Sequence, residues 1–261
     1  MIFENSYNEN PKNEPHIKTD LQAFWISIFN HAFSRMVKKG FYSVRLKNTQ
    51  NYDLRDLQVG NIIYANHCCW WDGIMGYLLC RKIFQTDMHM MIEELHRFPL
   101  LSKIGAFSVE KNSPQSSLGS LNYCIEFLEN PKNSLWIFPQ GVVMPPDYRP
   151  VKFAGGISYL CKKLKKINLI PVAHRYNFIR EDRPEIFIEV GKPIIINNDL
   201  EKNRKEFTQF LEEEFTLLLD RQKQDISKGN FEGYEFFLKS RLCMLKLIEK
   251  NFKLFVQSLK F

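Results

Sequence analysis

The sequence lacks several features that would decide its class at once. No stretch approaches the roughly 18 consecutive apolar residues of a membrane-spanning helix, so none is expected. The opening ENSYNENPKNEPH is polar and broken by proline, without the basic and apolar regions of a secretory leader, and is expected to be a flexible arm. The cysteines form no C-x-x-C pair. In a chain this long with no export signal, they are expected to be free thiols rather than a disulfide framework. Zinc would need ligands drawn from His67, Cys69, His89 or His96 at no recognised spacing, so no metal is expected. No internal repeat is visible, and no reader motif interleaves the cationic residues, so no nucleic-acid partner is expected.

What remains is a chain of 261 residues, 44% hydrophobic, with 22 phenylalanines. Its net charge of +7 and pI near 9.0 point to an anionic partner, either an acidic substrate or a membrane surface. Residues 17–37 place Ile17, Leu21, Phe24, Trp25, Ile28 and Phe29 at three- and four-residue steps. This is one broad apolar stripe on a helix, with Thr19 or Asp20 as its cap and Gly40 as its stop. The stripe fits either a core-packing helix or an interfacial one with its aromatic rings in the headgroup region. From Gly60 to Ile196 the pattern changes. Short apolar runs such as GNIIYANH, SLWIFPQG, INLIPVAHRY and EIFIEVGKPI alternate with helical segments. Such alternation predicts an α/β domain with a central, mostly parallel or mixed sheet flanked by helices, its chemistry gathered where strands end.

After Ile196 two helices are expected, Leu200 to Leu219 and Tyr234 to Leu259. From Phe236 to the last residue the sequence carries Lys239, Arg241, Lys246, Lys250, Lys253 and Lys260 against Glu249 alone. A basic amphipathic helix suits an anionic membrane surface, and equally a packing helix with a solvated cationic face. The expected organisation is an arm and amphipathic helix over 1–46, an α/β core over 47–199 and a helical extension over 200–261.

The stretch ANHCCWWDG sets His67 and Asp72 five apart. On one continuous helix such residues lie about 140° apart and face different ways. The spacing works if His67 ends a strand, Asp72 opens a helix, and the intervening turn folds them together. A carboxylate on one imidazole nitrogen fixes the tautomer and stabilises the imidazolium, so the other nitrogen can take a proton. The substrate's own hydroxyl then replaces a protein nucleophile.

NHCCWWDG is followed by GAFSVEK (Gly105 to Lys111), FPQG (Phe138 to Gly141), VKFAGG and Ile170–Pro171–Val172. The four blocks other than VKFAGG, in this order, resemble the PlsC-type glycerolipid acyltransferases, the 1-acylglycerol-3-phosphate acyltransferase family, over roughly residues 60 to 195, and VKFAGG is similar to a further segment of that family. The resemblance implies transfer of a fatty acyl group from acyl-CoA or acyl carrier protein to the hydroxyl of a lipid acceptor, lysophosphatidate-like or another lysolipid or glycolipid. It implies His67 as general base and Asp72 as its orienter. Lys111, Phe138, Pro139, Gln140, Gly141, Arg149 and Lys152 would form the acceptor-binding or oxyanion region. It implies no metal or tightly bound cofactor, and a peripheral position on the cytoplasmic side of an anionic membrane.

The departures fall among polar positions. Lys111 stands where the family has Arg, Gln140 where it has Glu, Val142–Val143 where it has Thr or Ser followed by Arg, and Ala154 where it has Lys. A lysine keeps the charge but loses the bidentate fork that suits phosphate. Two other readings stay open: an acyl-thioester hydrolase in which water replaces the alcohol, and a non-catalytic lipid-binding or membrane-scaffolding relative.

Overall fold

The computed structural model describes residues 17–109, 114–198, 203–240 and 248. The expected arm before residue 17, Lys111, and the terminal segment beyond residue 240 other than the exposed Ile248 lie outside them. Strands β1 (Ser43–Lys47), β2 (Asn61–Ala65), β3 (Asp87–Ile92), β4 (Ala106–Ser108), β5 (Asn133–Ile137), β6 (Ile167–Asn177), β7 (Glu185–Val190), β8 (Ile194–Ile196) and β9 (Glu235–Lys239) form a single sheet. Its order is β4-β3-β5-β2-β6-β7-β1-β9, with β8 paired to β6. The pairings on the β4 side of β6 are parallel. The pairs β6–β7, β6–β8 and β1–β9 are antiparallel. The sheet is therefore mixed.

Helices α1 (Ala23–Gly40) and α2 (Trp71–Leu79) cover one face, and α3 (Pro114–Leu128), α4 (Gly156–Leu164) and α5 (Arg204–Ser227) the other. β2 is paired on both edges and buried throughout, which its run of Asn-Ile-Ile-Tyr-Ala suits. Ile63 and Ala65 point to the α1–α2 layer, Ile62 and Tyr64 to the opposite one. Fully buried Phe107 and Phe215 illustrate the scale, since burying such a side chain contributes about 1.5–3 kcal/mol. Gly76 lets α2 lie against the sheet: a Cβ there would come within 2.5 Å of the Trp136 ring.

Two expectations for the flanking segments need correction. Neither Thr19 nor Asp20 caps α1, which begins after Gln22 with no side-chain cap. Thr19 instead hydrogen-bonds the Tyr123 hydroxyl at 2.7 Å, and Asp20 pairs with Lys103. The backbone N–H groups of Asp20 and Gln22 donate to Ser102 and Lys103. These long-range bonds hold the lead in an extended path and outweigh local helix-starting preference. Likewise, residues 235–239 form β9 rather than the start of a helix. Gly233 turns the chain at φ +76°, and the open edge of β1 offers unpaired backbone groups that β9 satisfies. Leu238 turns inward, while Phe236 lies outside against the Arg45 guanidinium at 4.5 Å. β1 also crosses the border expected at residues 46/47, so the sheet takes strands from all three expected segments.

Along α1 the apolar stripe is divided. Val37 is buried, and Trp25, Phe29 and Phe33 pack on the core. Phe24 is 68% and Ile28 42% exposed. Among the described residues, no helix is long and apolar enough to cross a membrane.

Candidate active site

The strand ends of β2 and β5 and the outer half of β6 converge beside the start of α2. His67 follows β2. The turn through Cys68 and Trp70 reverses the chain, so that Asp72 enters the first turn of α2, where the helix dipole favours a carboxylate. Asp72 is fully buried and His67 partly exposed. The imidazole Nδ1 lies 2.9 Å from Asp72 Oδ2. A carboxylate can only accept, so Nδ1 carries the proton and Nε2 is left as the basic nitrogen.

Oδ2 also accepts the backbone N–H of Cys68 at 2.5 Å and of Cys69 at 2.8 Å. Oδ1 accepts the Tyr176 hydroxyl at 2.5 Å and faces His174 Nδ1 at 3.4 Å. Burial by itself raises the carboxyl's pKa. The hydrogen bonds from His174 and His67 prevail, and Asp72 is held well below the usual carboxylate range. Burial and the Asp72 charge push Tyr176 well above 10, so its hydroxyl stays a donor. Burial also raises the Cys68 and Cys69 thiols, which argues against either as a thiolate nucleophile. Among the described residues, no group of three or more His, Cys, Asp or Glu is arranged to hold a metal ion.

The turn after β5 forms the adjoining wall. Phe138 stacks on the His67 ring with centroids 4.3 Å apart and planes 12° from parallel. Pro139 is buried, and Gly141 takes the φ of +71° that closes the turn, with its N–H bonded to the Phe138 carbonyl at 3.0 Å. Gln140 Oε1 accepts the backbone N–H of His67 at 3.0 Å, and the Met144 N–H donates to the His67 carbonyl at 2.8 Å. Gln140 thus offers His67 an acceptor without bringing a negative charge beside the imidazole.

The structure therefore brings together His67, Asp72, Phe138, Pro139, Gln140 and Gly141. The expected cations are drawn elsewhere. Arg149 pairs with Asp220 of α5, and Lys152 with Glu212 of α5 at 3.0 Å. Lys152 and Glu212 line an open cavity of about 380 Å³ with Phe153, Ser158, Arg204 and Thr208. Arg175 is buried against Asp147 at 2.5 Å. Lys111 lies outside the described residues.

Three residues of the site were not singled out in the sequence: Asn66, His174 and Tyr176. Asn66 Nδ2 donates to the His174 carbonyl and its Oδ1 accepts the His174 N–H, at 2.9 and 2.8 Å. The strand register held a signal. Val172, His174 and Tyr176 share one face, and β6 runs past its last partner on β2, Val172. Polar side chains on the buried face of an overhanging strand end point into the site.

The acyltransferase family profile matches residues 43–175, from β1 to within β6, enclosing both the His67–Asp72 pair and the 138–141 turn. The chain belongs to the acyltransferase family. No curated protein sequence matches it significantly. Among solved structures, this acyltransferase resembles the 1-acyl-sn-glycerophosphate (LPA) acyltransferase PlsC from Thermotoga maritima. The TM-score is 0.53 at 17% identity, over 75% of this chain and 79% of that one. The α/β architecture expected from the strand–helix alternation is the PlsC fold.

Proposed function

We propose that this acyltransferase moves a fatty acyl group from a thioester, acyl-CoA or acyl carrier protein, to the hydroxyl of a lipid acceptor. His67 Nε2 takes the acceptor's proton as the oxygen attacks the thioester carbonyl carbon. The C–S bond then breaks, and the imidazolium returns the proton to the departing thiolate. Asp72 holds the imidazole in the required tautomer and stabilises its transient charge. The Phe138–Gly141 turn lines the acceptor and oxyanion region. The observation carrying this reading is the buried Asp72 carboxylate on Nδ1 of a partly exposed His67, at strand ends walled by that turn. No tightly bound cofactor enters this scheme.

For the acceptor, the described cations favour an uncharged or weakly charged headgroup. Arg149, Lys152 and Arg175 each already face a carboxylate, and a phosphate would have to displace one. The exposed Phe24 and Ile28 of α1, with Phe98 and Leu100 in the segment that α1 packs against, suit peripheral contact with a membrane. On this reading the protein works at the cytoplasmic surface of an anionic bilayer, in phospholipid or related lipid synthesis.

The test incubates labelled acyl-CoA or acyl carrier protein with lysophosphatidate, an uncharged monoacyl glycolipid and a total lipid extract, and identifies products by mass. Wild-type protein is expected to give an acylated lipid, and His67→Ala to lose turnover by about 10³-fold or more while folded. Near-normal turnover by that variant sinks the mechanism. Free fatty acid released without any acceptor identifies a hydrolase, and no product across all acceptors favours a lipid-binding role.

A further inference from the structure

Asp72 is served by more donors than a histidine–aspartate pair requires. His67 Nδ1 and two backbone N–H groups fill Oδ2. Oδ1 faces the hydroxyl of Tyr176 and Nδ1 of His174, both from the overhang of β6. Neither side chain is placed by accident of the surface. His174 is completely buried, its ring lies near-parallel to Trp136 with centroids 5.8 Å apart, and the Asn66 amide clamps its backbone. A carboxylate oxygen can only accept, so His174 Nδ1 carries a proton that points at Asp72, while Nε2 is buried with no partner among the described residues. Tyr176 packs its ring against Phe41 at a 46° tilt, with centroids 5.8 Å apart, and its hydroxyl is aimed at the same oxygen.

We propose that His174 and Tyr176 are positioning residues of the acyl-transfer site, which fix the second carboxylate oxygen of Asp72 and thereby set the basicity of His67. The inference rests on the reading of His67 as the base. Hydrogen bonds donated to a carboxylate spread its charge and weaken its pull on a neighbouring imidazolium. The two donors therefore keep the His67 imidazolium more acidic than Asp72 alone would leave it, and extend activity toward lower pH. Among the described residues, the titratable and charged groups around the His67–Asp72 pair include Cys68 and Cys69 from the turn, with the Cys69 Sγ 3.9 Å from Asp72 Oδ1, and His174, Arg175 and Tyr176 from β6, with Arg175 paired to Asp147 and Asp147 in turn to Lys223. Both thiols stay protonated at working pH. Arg175 and Asp147 offset each other. The Oδ1 donors are thus the adjustable part of the site.

Tyr176→Phe removes one oxygen and leaves Asp72 with one donor fewer. Its acid limb of kcat/KM, and the His67 titration followed by NMR in the folded protein, should move up by about half a unit to one unit. His174→Ala should move both the same way and lower kcat by about tenfold, with KM little changed. His174→Asn should restore the wild-type profile, because its Nδ2 occupies the place of imidazole Nδ1, whereas His174→Gln should not. An unshifted or downward-shifted limb in Tyr176→Phe, measured on protein with native circular dichroism, overturns the assignment even if His174→Ala fails to fold. An inactive His67→Ala beside unshifted Tyr176→Phe removes this inference alone. An active His67→Ala removes the reading beneath it.

Discussion

Replacing Asp72 by Asn tests the charge of the site with almost no change in shape. The amide oxygen can take the Oδ2 position and keep the N–H bonds from Cys68 and Cys69. The amide NH₂ then faces Tyr176, whose hydroxyl can rotate to accept, and His174, whose Nδ1 can accept once its proton moves to Nε2. What disappears is the negative charge beside the imidazolium. With Nδ1 2.9 Å from Oδ2, the charge centres lie about 4 Å apart, and at an effective dielectric of about 20 their attraction is about 4 kcal/mol. That corresponds to about a thousandfold in rate. The loss should fall on kcat rather than KM, because the imidazolium exists only along the reaction path. Single-turnover transfer from labelled acyl-CoA, with enzyme in excess, reads the chemical step directly. Transfer within about tenfold of wild type by folded Asp72→Asn would show that the carboxylate charge does not support the base, and the electrostatic argument would fail.

Two further measurements probe regions outside the acyl-transfer chemistry. Burial pushes the His89 imidazole from 6.5 down to about 4, where it stacks on Phe127. The folded protein therefore binds fewer protons there than the unfolded chain. Stability is fully present above pH 6.5 and drains away as pH falls toward 4, by up to about 3 kcal/mol. Urea unfolding should show this slope, and His89→Gln should flatten it; an identical slope in the variant would assign it elsewhere. Replacing Phe24 and Ile28 by Ser should weaken binding to anionic vesicles about tenfold or more with little change in Tm, since both side chains are exposed. Unchanged vesicle binding would return that face of α1 to ordinary surface.

The sequence was most legible where burial is two-sided. The apolar runs that became β2, β5, β6 and β7 read as strands because both faces of each are covered. His67 and Asp72 were legible because the pairing needs only a strand end, a short turn and a helix start, all local. β9 was not: EFFLK has a helical apolar rhythm, and only the distant edge of β1 makes it a strand. The start of α1 failed for the same reason, its would-be caps being claimed by residues some 80 to 104 positions away. Arg149 and Lys152 were reasonable anion ligands by charge alone. Their carboxylate partners on α5 lie 71 and 60 residues further along, beyond the reach of any local pattern. His174 and Tyr176 could have been found from strand parity, had the overhang of β6 past β2 been known.

The two backbone hydrogen bonds at His67 bear on how this enzyme can change over time. Gln140 accepts from its N–H and Met144 donates to its carbonyl, so residues 140–144 and the imidazole share one mechanical unit. That stretch includes Val142 and Val143, about half exposed and free of the backbone duties of their neighbours. A lid swinging on this segment would release the base each time it opened. The side chains of Val142 and Val143 can instead be exchanged without touching either backbone bond to His67. Change at these two surface positions therefore need not disturb the backbone frame that holds the imidazole.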